Sequence, residues 1–243
     1  MILASHQPYF FPYLGYFSLI SAVDKFIFFD TSQFNRKSWM TRNRILKPTM
    51  NEFQFINIGT QHTTFQAKLP ECKLNPDQKW KNKLISQLGH YKKKADFFDE
   101  TMLFLQKLLI NDEENLIDFN VSSTIAVARL LKIDTQFFQH TKIEHSVEKA
   151  SEKGFWGMVF CNAFGAENYI NAPDGEVLYP KEEYKKAGIK LGFIQHQLNP
   201  YSQNNENFLP ALSIIDVLMF NGAEKTSEMV HDYKIKWETN DTA

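Results

Sequence analysis

Ile2–Ser5 is a short apolar run that ends in the polar triplet His6-Gln7-Pro8. Apolar residues then recur at helical spacing over Leu14–Val23, and Lys25–Asp30 (KFIFFD) is again apolar between charged ends. This order predicts strand, loop, helix, strand. Two short hydrophobic strands joined through a helix form a parallel pair, and ligands of such sheets bind beyond the carboxyl ends of the strands. His6 and Asp30 stand at those two ends. Phe53–Ile58 and Phe65–Leu69 alternate as strands do, with Pro48 and Pro70 punctuating the region.

From Asn75 the period changes. Asn75-Pro76-Asp77 supplies an N-cap, a proline for the first helical position and an acid for the helix dipole, and Trp80, Leu84, Ile85 and Leu88 follow up to Gly89, which marks the end. Phe97–Ile110 and Leu116–Leu131 repeat amphipathic helical spacing, and Val147–Phe164 adds a further helix. After Gly165 the chain returns to strands at Asn168–Asn171 and Lys190–Gln195, separated by the Pro173-Asp174-Gly175 turn, and closes on a helix over Leu209–Phe220. The expected fold is α/β: a parallel or mixed sheet starting with a β-α-β unit, plus a helical middle subdomain. Residues 1–74 form the N-terminal part with the site, 75–164 the helical subdomain, and 165–243 a C-terminal part completing the same domain.

With 243 residues, 43% of them hydrophobic and 23% charged, the chain is long enough for a substantial core, which excludes disorder and a disulfide scaffold. A formal net charge of -1 gives no reason to expect general nucleic-acid binding. Residues 1–23 carry no charged side chain, but they lack a basic leader, and His6, Gln7, Pro8 and Pro12 interrupt them; neither a signal peptide nor membrane insertion is expected. Cys72 and Cys161 are far apart and form no CxxC, so a reducing, cytoplasmic setting fits.

Motifs of the common nucleotide-binding, zinc-hydrolase and serine-hydrolase folds are absent. What stands out is that three of the four arginines, Arg36, Arg42 and Arg44, fall within nine positions, interleaved with Ser38, Trp39 and Asn43. Guanidinium forks suit phosphate or carboxylate and stack on aromatic rings, so the cluster points to an anionic ligand, or else to a solvated strand face. His6, beyond the first strand, is a candidate general base, since an imidazole of pKa about 6.5 can take a proton from an attacking amine or hydroxyl. Asp30 orients it, binds a ribose or sugar hydroxyl, holds a metal, or caps the next turn. In the last third, Asn171 with Tyr179, and Tyr201 with Gln203 and His196, pair aromatic faces with amides as sugar sites do. Ser213 and Asp216, three apart on the last helix, suit a capping role.

HQPYFFPYLGYF, the strand KFIFFD, SQFNRKSWMTRNRI, HYKKKADFF at 90–98, GAENYINAPDGEVLY at 165–179 and YSQNNENFLPALSIIDVLMFNG at 201–222 together resemble the WbqC-like family of bacterial proteins, over nearly the whole chain. Members occur in surface-polysaccharide (O-antigen, lipopolysaccharide) gene clusters and are described as transferases, including glycyl transfer to amino sugars. By motif position the resemblance carries over His6, Gln7, Pro8, Asp30, Gln33, Ser38, Trp39, Asn43, Arg44, Tyr91, Asn171, Tyr179, Tyr201 and Gln203. Thr31 stands where many relatives have a second acid, so no obligatory metal is expected.

The resulting expectation is an acyl- or aminoacyl-transferase acting on a nucleotide-linked amino sugar. In it Arg36, Arg42 and Arg44 hold the diphosphate, and His6, oriented by Asp30, deprotonates the amine; the acyl donor and any cofactor are unknown. Two other readings stay open. One is a nucleotidyl- or adenylyl-transferring enzyme, because strand, HQP loop, Gly15 and helix are loosely like an HxGH-type entry with Tyr16 replacing the second histidine. The other is a noncatalytic sugar-nucleotide binder or scaffold.

Overall fold

A continuous apolar run makes β1 (Ile2–His6) a buried strand, and α1 (Leu14–Ser21) returns the chain to β2 (Lys25–Phe28), which pairs with β1 in parallel, Leu3 opposite Lys25 and His6 opposite Phe28. The computed structural model describes residues 1–35, 37–49, 51–61, 69–110, 112–143, 150, 152–204 and 207–238. An antiparallel hairpin follows, β3 (Arg42–Leu46) against β4 (Phe53–Asn57), standing apart from the main sheet. Three helices come next, α2 (Lys79–Leu88), α3 (Phe98–Leu109) and α4 (Leu116–Leu130), and then β5 (Gln136–Gln139), which lies on the far side of β2. The remaining elements are α5 (Trp156–Phe164), β6 (Asn168–Asn171), α6 (Lys181–Lys186), β7 (Lys190–His196), α7 (Ile214–Val230) and β8 (Tyr233–Trp237).

The main sheet has the order β5-β2-β1-β6-β7-β8, parallel throughout except for β8 at one edge. This is a doubly wound arrangement: the chain moves outward from β1 through β2 to β5, then returns to the other side of β1 and moves outward again through β6 and β7. One face carries the larger core, in which Phe10, Phe17, Phe26 and Phe28 pack with Leu84, Leu105 and Phe119 of the helical middle and Ile215 of α7. The other face carries Leu3, Ile27, Tyr169, Leu191 and Phe193 beneath α5 and α6, with Phe160 and Tyr184. The helical middle thus shares its core with the sheet, and β5, inside residues 75–164, is one of the sheet's strands.

Several boundaries differ from the hydrophobic pattern for local reasons. α2 begins at Lys79 rather than Pro76, because Gln78 takes a left-handed conformation (φ 50°) and Asp77 Oδ1 accepts the Lys79 N–H at 3.2 Å. Gly89 does end α2, as its C-cap, and at φ -56° it leads directly into a 3-10 turn, Gly89–Lys93. The closing helix starts at Ile214, where Ser213 caps it, and continues to Val230 through a break at Gly222 (φ 67°, ψ 179°), where the Phe97 ring occupies the space of a side chain. Of the expected strand Phe65–Leu69, residues 65–68 lie outside the described residues and Leu69 opens a 3-10 turn, Leu69–Glu71; residues 147–149 and 151, at the start of the expected helix Val147–Phe164, lie outside them too.

Candidate functional site

The strand order reverses between β1 and β6, and the crevice beyond the carboxyl ends at such a reversal is where open α/β sheets bind ligands. Three strands end there: β1 at His6, β6 at Asn171 and β7 at His196. Strand alternation puts Leu3, Tyr169 and Leu191 on one face, so His6 and His196 lie together on the opposite face, the one that carries α1. Two strand spacings, roughly 10 Å, separate the two strands.

The loop between β1 and α1 forms one wall, and its carbonyls are held from several sides. Tyr16 Oη donates to Gln7 O (2.8 Å), Asn120 Nδ2 to Pro8 O (3.0 Å), Asn43 Nδ2 to Phe10 O and Phe11 O (3.0 and 2.8 Å), Ser213 Oγ to Phe11 O (2.8 Å) and the Ile214 N–H to Pro12 O (2.9 Å). This restraint sustains Phe11 at φ 41°, a left-handed conformation that a bulky side chain rarely adopts and that costs on the order of 1–3 kcal/mol.

Within the crevice the His6 ring lies edge-on to Tyr9 (centroids 4.8 Å apart) and Tyr16 (5.1 Å), and Tyr13 lies edge-on to His196 (5.4 Å). Gly15, in the first turn of α1, makes this possible: a Cβ there would come within 2.6 Å of both His196 Nε2 and Tyr13 Cε2. Burial lowers the His6 pKa more than the Gln7 carbonyl and Asp174 raise it, so the ring is neutral at neutral pH. Its Nδ1 lies 3.3 Å from Gln7 O, which selects the Nδ1–H tautomer and leaves Nε2 as the acceptor. Burial lowers the His196 pKa as well, against Asp174, and His196 Nδ1 is buried without a hydrogen-bond partner. The Tyr9 and Tyr13 phenols are pushed up to about 12 by burial, with Asp174 adding to the effect. No acidic residue occupies the first turn of α1, which opens on the same crevice.

Of the residues expected from sequence, the structure brings His6, Gln7 and Asn171 to this place. Asn171 acts as a weld between strands: Nδ2 donates to Ser5 O (3.0 Å) and Tyr169 Oη (2.9 Å), while Oδ1 accepts the Ala172 N–H (2.7 Å). Tyr179 is packed on the other face of the sheet, against Tyr169, Tyr184 and Phe193.

Asp30 does not orient His6. It is fully buried, and its carboxylate accepts the Thr141 N–H (3.1 Å) and hydroxyl (2.5 Å), capping the turn after β5. Nor do Arg42 and Arg44 face the imidazole. They project from one side of β3, Arg42 over the Phe55 ring (4.2 Å) and Arg44 between Trp39 (5.3 Å) and Phe53 (5.2 Å), with Arg44 Nη2 donating to Ala211 O (2.9 Å). Arg36 lies outside the described residues. Ser38 closes its own turn, donating to Asn35 O (2.7 Å) and accepting the Met40 N–H, and Gln33 is exposed.

Tyr91 and Tyr201 meet on Asp216, donating to Oδ2 and Oδ1 at 2.5 Å each, and Gln203 closes the loop before α7 through both atoms of its amide, to the Leu209 N–H and O. These three therefore hold the scaffold together.

The sequence pattern does not single out Tyr9, Tyr13 or Asp174, and it sets His196 beside Tyr201 and Gln203 rather than beside His6. The tyrosines are hidden in an apolar run, and Asp174 reads as a turn residue. His196 does carry a signal, the same as that of His6: a histidine directly ending a buried strand. Among the described residues no group of three His, Cys, Asp or Glu side chains is placed to hold a metal ion, and no helix is long and apolar enough to cross a membrane.

Over 221 residues the chain is 26% identical to an uncharacterized protein of Mycobacterium tuberculosis, Rv1507c, a match covering 90% of this chain and 93% of that protein. No solved structure matches it. The sequence profile of the WbqC-like protein family matches residues 7–228, from the loop after β1 to the last turns of α7, and the chain belongs to that family.

Proposed function

We propose that the protein is a transferase that passes an acyl or aminoacyl group, glycyl among them, to the amine of a nucleotide-linked amino sugar used in surface-polysaccharide (O-antigen) assembly. The observation that carries the reading is His6, a neutral imidazole at the switch point whose Nδ1 is turned to the Gln7 carbonyl and whose Nε2 remains a base. Nε2 takes a proton from the attacking amine, and the Gln7 carbonyl steadies the imidazolium that results. The nucleotide's phosphates lie towards the first turn of α1, whose dipole favours anions and whose own residues include no acid.

Thermal shift against UDP-, dTDP- and GDP-sugars tests this. A ligand at a hundred times its Kd adds about 2.7 kcal/mol of stability, or about 5–10 °C for a chain of this size, and the absence of any shift at saturation rejects the reading. In a transfer assay His6→Ala lowers turnover by about 10²–10⁴ while binding persists; unchanged turnover removes His6 from the mechanism.

A second reading, nucleotidyl or adenylyl transfer, is favoured by Tyr13-Leu14-Gly15-Tyr16 opening α1 at the switch point of a doubly wound sheet. Release of pyrophosphate from ATP distinguishes it from acyl transfer.

A further inference from the structure

The switch point gathers imidazoles and phenol rings. His6 offers a lone pair at Nε2, His196 Nδ1 is buried without a partner, and the rings of Tyr9, Tyr13 and Tyr16 line the wall. Its charge is negative. Asp174 lies in the 3-10 turn Pro173–Leu178 that directly follows β6, the strand between those of the two histidines, and it is the charged group felt by His6, Tyr9, Tyr13 and His196 alike.

A contrast within that turn is informative. Glu176 is tied to Lys181 at 2.8 Å and Lys236 at 3.1 Å, whereas Asp174 is exposed, and among the described residues no ion pair joins it to a lysine or arginine. Arg42 and Arg44 are stacked on hairpin rings instead. An unpaired carboxylate, two neutral imidazoles and the faces of electron-rich rings share one complement: a cationic N–H donor.

We propose that Asp174 selects an amine-bearing substrate, its carboxylate receiving the substrate's ammonium group between the rings of Tyr9 and Tyr13, beside His6. The inference deepens the transferase reading and rests on it for the identity of the sugar carrier. In the reaction the ammonium gives one proton to His6 Nε2 and becomes a free amine. The amine nitrogen then forms the C–N bond to the acyl carbon as the bond to the donor's leaving group breaks, and the second proton departs with that leaving group.

Calorimetric titration of the intact chain with UDP-glucosamine, UDP-glucose, UDP-N-acetylglucosamine and free glucosamine tests the assignment. The unmodified protein should favour the amine over the hydroxyl and acetamido sugars by about tenfold or more, Asp174→Asn should bind all three nucleotide sugars alike, and Asp174→Glu should keep the preference. Because Asp174 is exposed, a melting temperature unchanged by the substitution checks that the fold is intact. Equal binding of amine and hydroxyl sugars by the unmodified protein, or a preference that survives in Asp174→Asn, overturns the assignment while leaving the nucleotide-sugar reading in place. If no nucleotide sugar binds, that reading fails, and free glucosamine decides the rest: Asp174-dependent binding upholds the inference, and no binding ends it.

Discussion

At the ends of β1, β6 and β7 the polar groups are neutral imidazoles, phenols and one unpaired carboxylate, whereas on β3 and β4 Arg42 lies over Phe55 and Arg44 between Trp39 and Phe53. Both regions combine aromatic rings with charge, but they differ in where the charge is directed. Arg42 and Arg44 are two apart on a strand and so share a face, and each meets the phenylalanine diagonal to it on the partner strand. Asn43, between them, points the other way and grips the loop that carries the crevice wall. The strand thus reaches the site through its amide rather than through its cations. A cluster of arginines along the sequence need not converge in space.

The largest effect expected from breaking this arrangement is at Asn43. Its side chain is buried, donates to two loop carbonyls and accepts the Arg44 N–H at 2.8 Å. Asn43→Ala orphans Phe10 O and the Arg44 N–H and leaves Phe11 O to Ser213 alone; each orphan costs about 1–3 kcal/mol when buried and unmet, so a loss of about 2–5 kcal/mol is expected in urea denaturation. Nucleotide-sugar binding should weaken with it, since Phe11 is released from its left-handed conformation. A loss under about 1 kcal/mol means that the hairpin does not support the loop.

Asp216 joins the two regions and gives the next effect. The Leu46 N–H donates to Tyr91 Oη (2.9 Å), Tyr91 donates to Asp216, and so does Tyr201 from the segment after β7, so one buried carboxylate ties β3 to the far side of the crevice. Burial raises its pKa to about 6 despite the hydrogen bonds that favour the anion. The ordinary value in an unfolded chain is about 3.9, so the folded state holds this proton over a window in which the unfolded state has lost it. Its contribution to stability is therefore full below about pH 4 and is lost as pH rises through about 6, a change of about 3 kcal/mol. In Asp216→Asn that slope should be missing. Parallel stability curves for the two proteins between pH 4 and 7.5 would exclude Asp216 as the titrating group.

The same contrasts show what could be read from residue order. The β-α-β entry and the helices α3 and α4 were legible because unbroken apolar runs and 3.6-residue spacing extend over many positions. β5 is only four residues long, β3 alternates arginine with asparagine, and β8 is an edge strand with lysine at every second position, so none of them carries an apolar run. His6 was legible as the residue ending the first strand. Its supposed partner was not, because Asp30 meets Thr141, 111 positions away, and only the pairing of β2 with β5 brings them together. Asp174 and His196 reach His6 by the same kind of long-range pairing, through β6 and β7, and Tyr9 and Tyr13 are indistinguishable in sequence from core rings.

The smallest effect sharpens the comparison most. Arg42 is half-buried, holds a cation–π contact with Phe55, and among the described residues forms no ion pair. If the hairpin cations serve packing, Arg42→Ala should cost about 0.5–1 kcal/mol of stability, the usual worth of such a contact near the surface, and Arg42→Lys less. On the proposed reading, in which α1 meets the phosphates and Asp174 the amine, ligand affinity in the crevice should be unchanged. Titration of the same nucleotide sugar against both variants and the unmodified chain checks this. A drop of tenfold or more in Arg42→Ala, with stability held, would return the guanidinium to the ligand and dissolve the division between the two regions. The Lys variant then separates charge from shape: retained affinity points to a point charge, and lost affinity to the bidentate fork that only arginine presents.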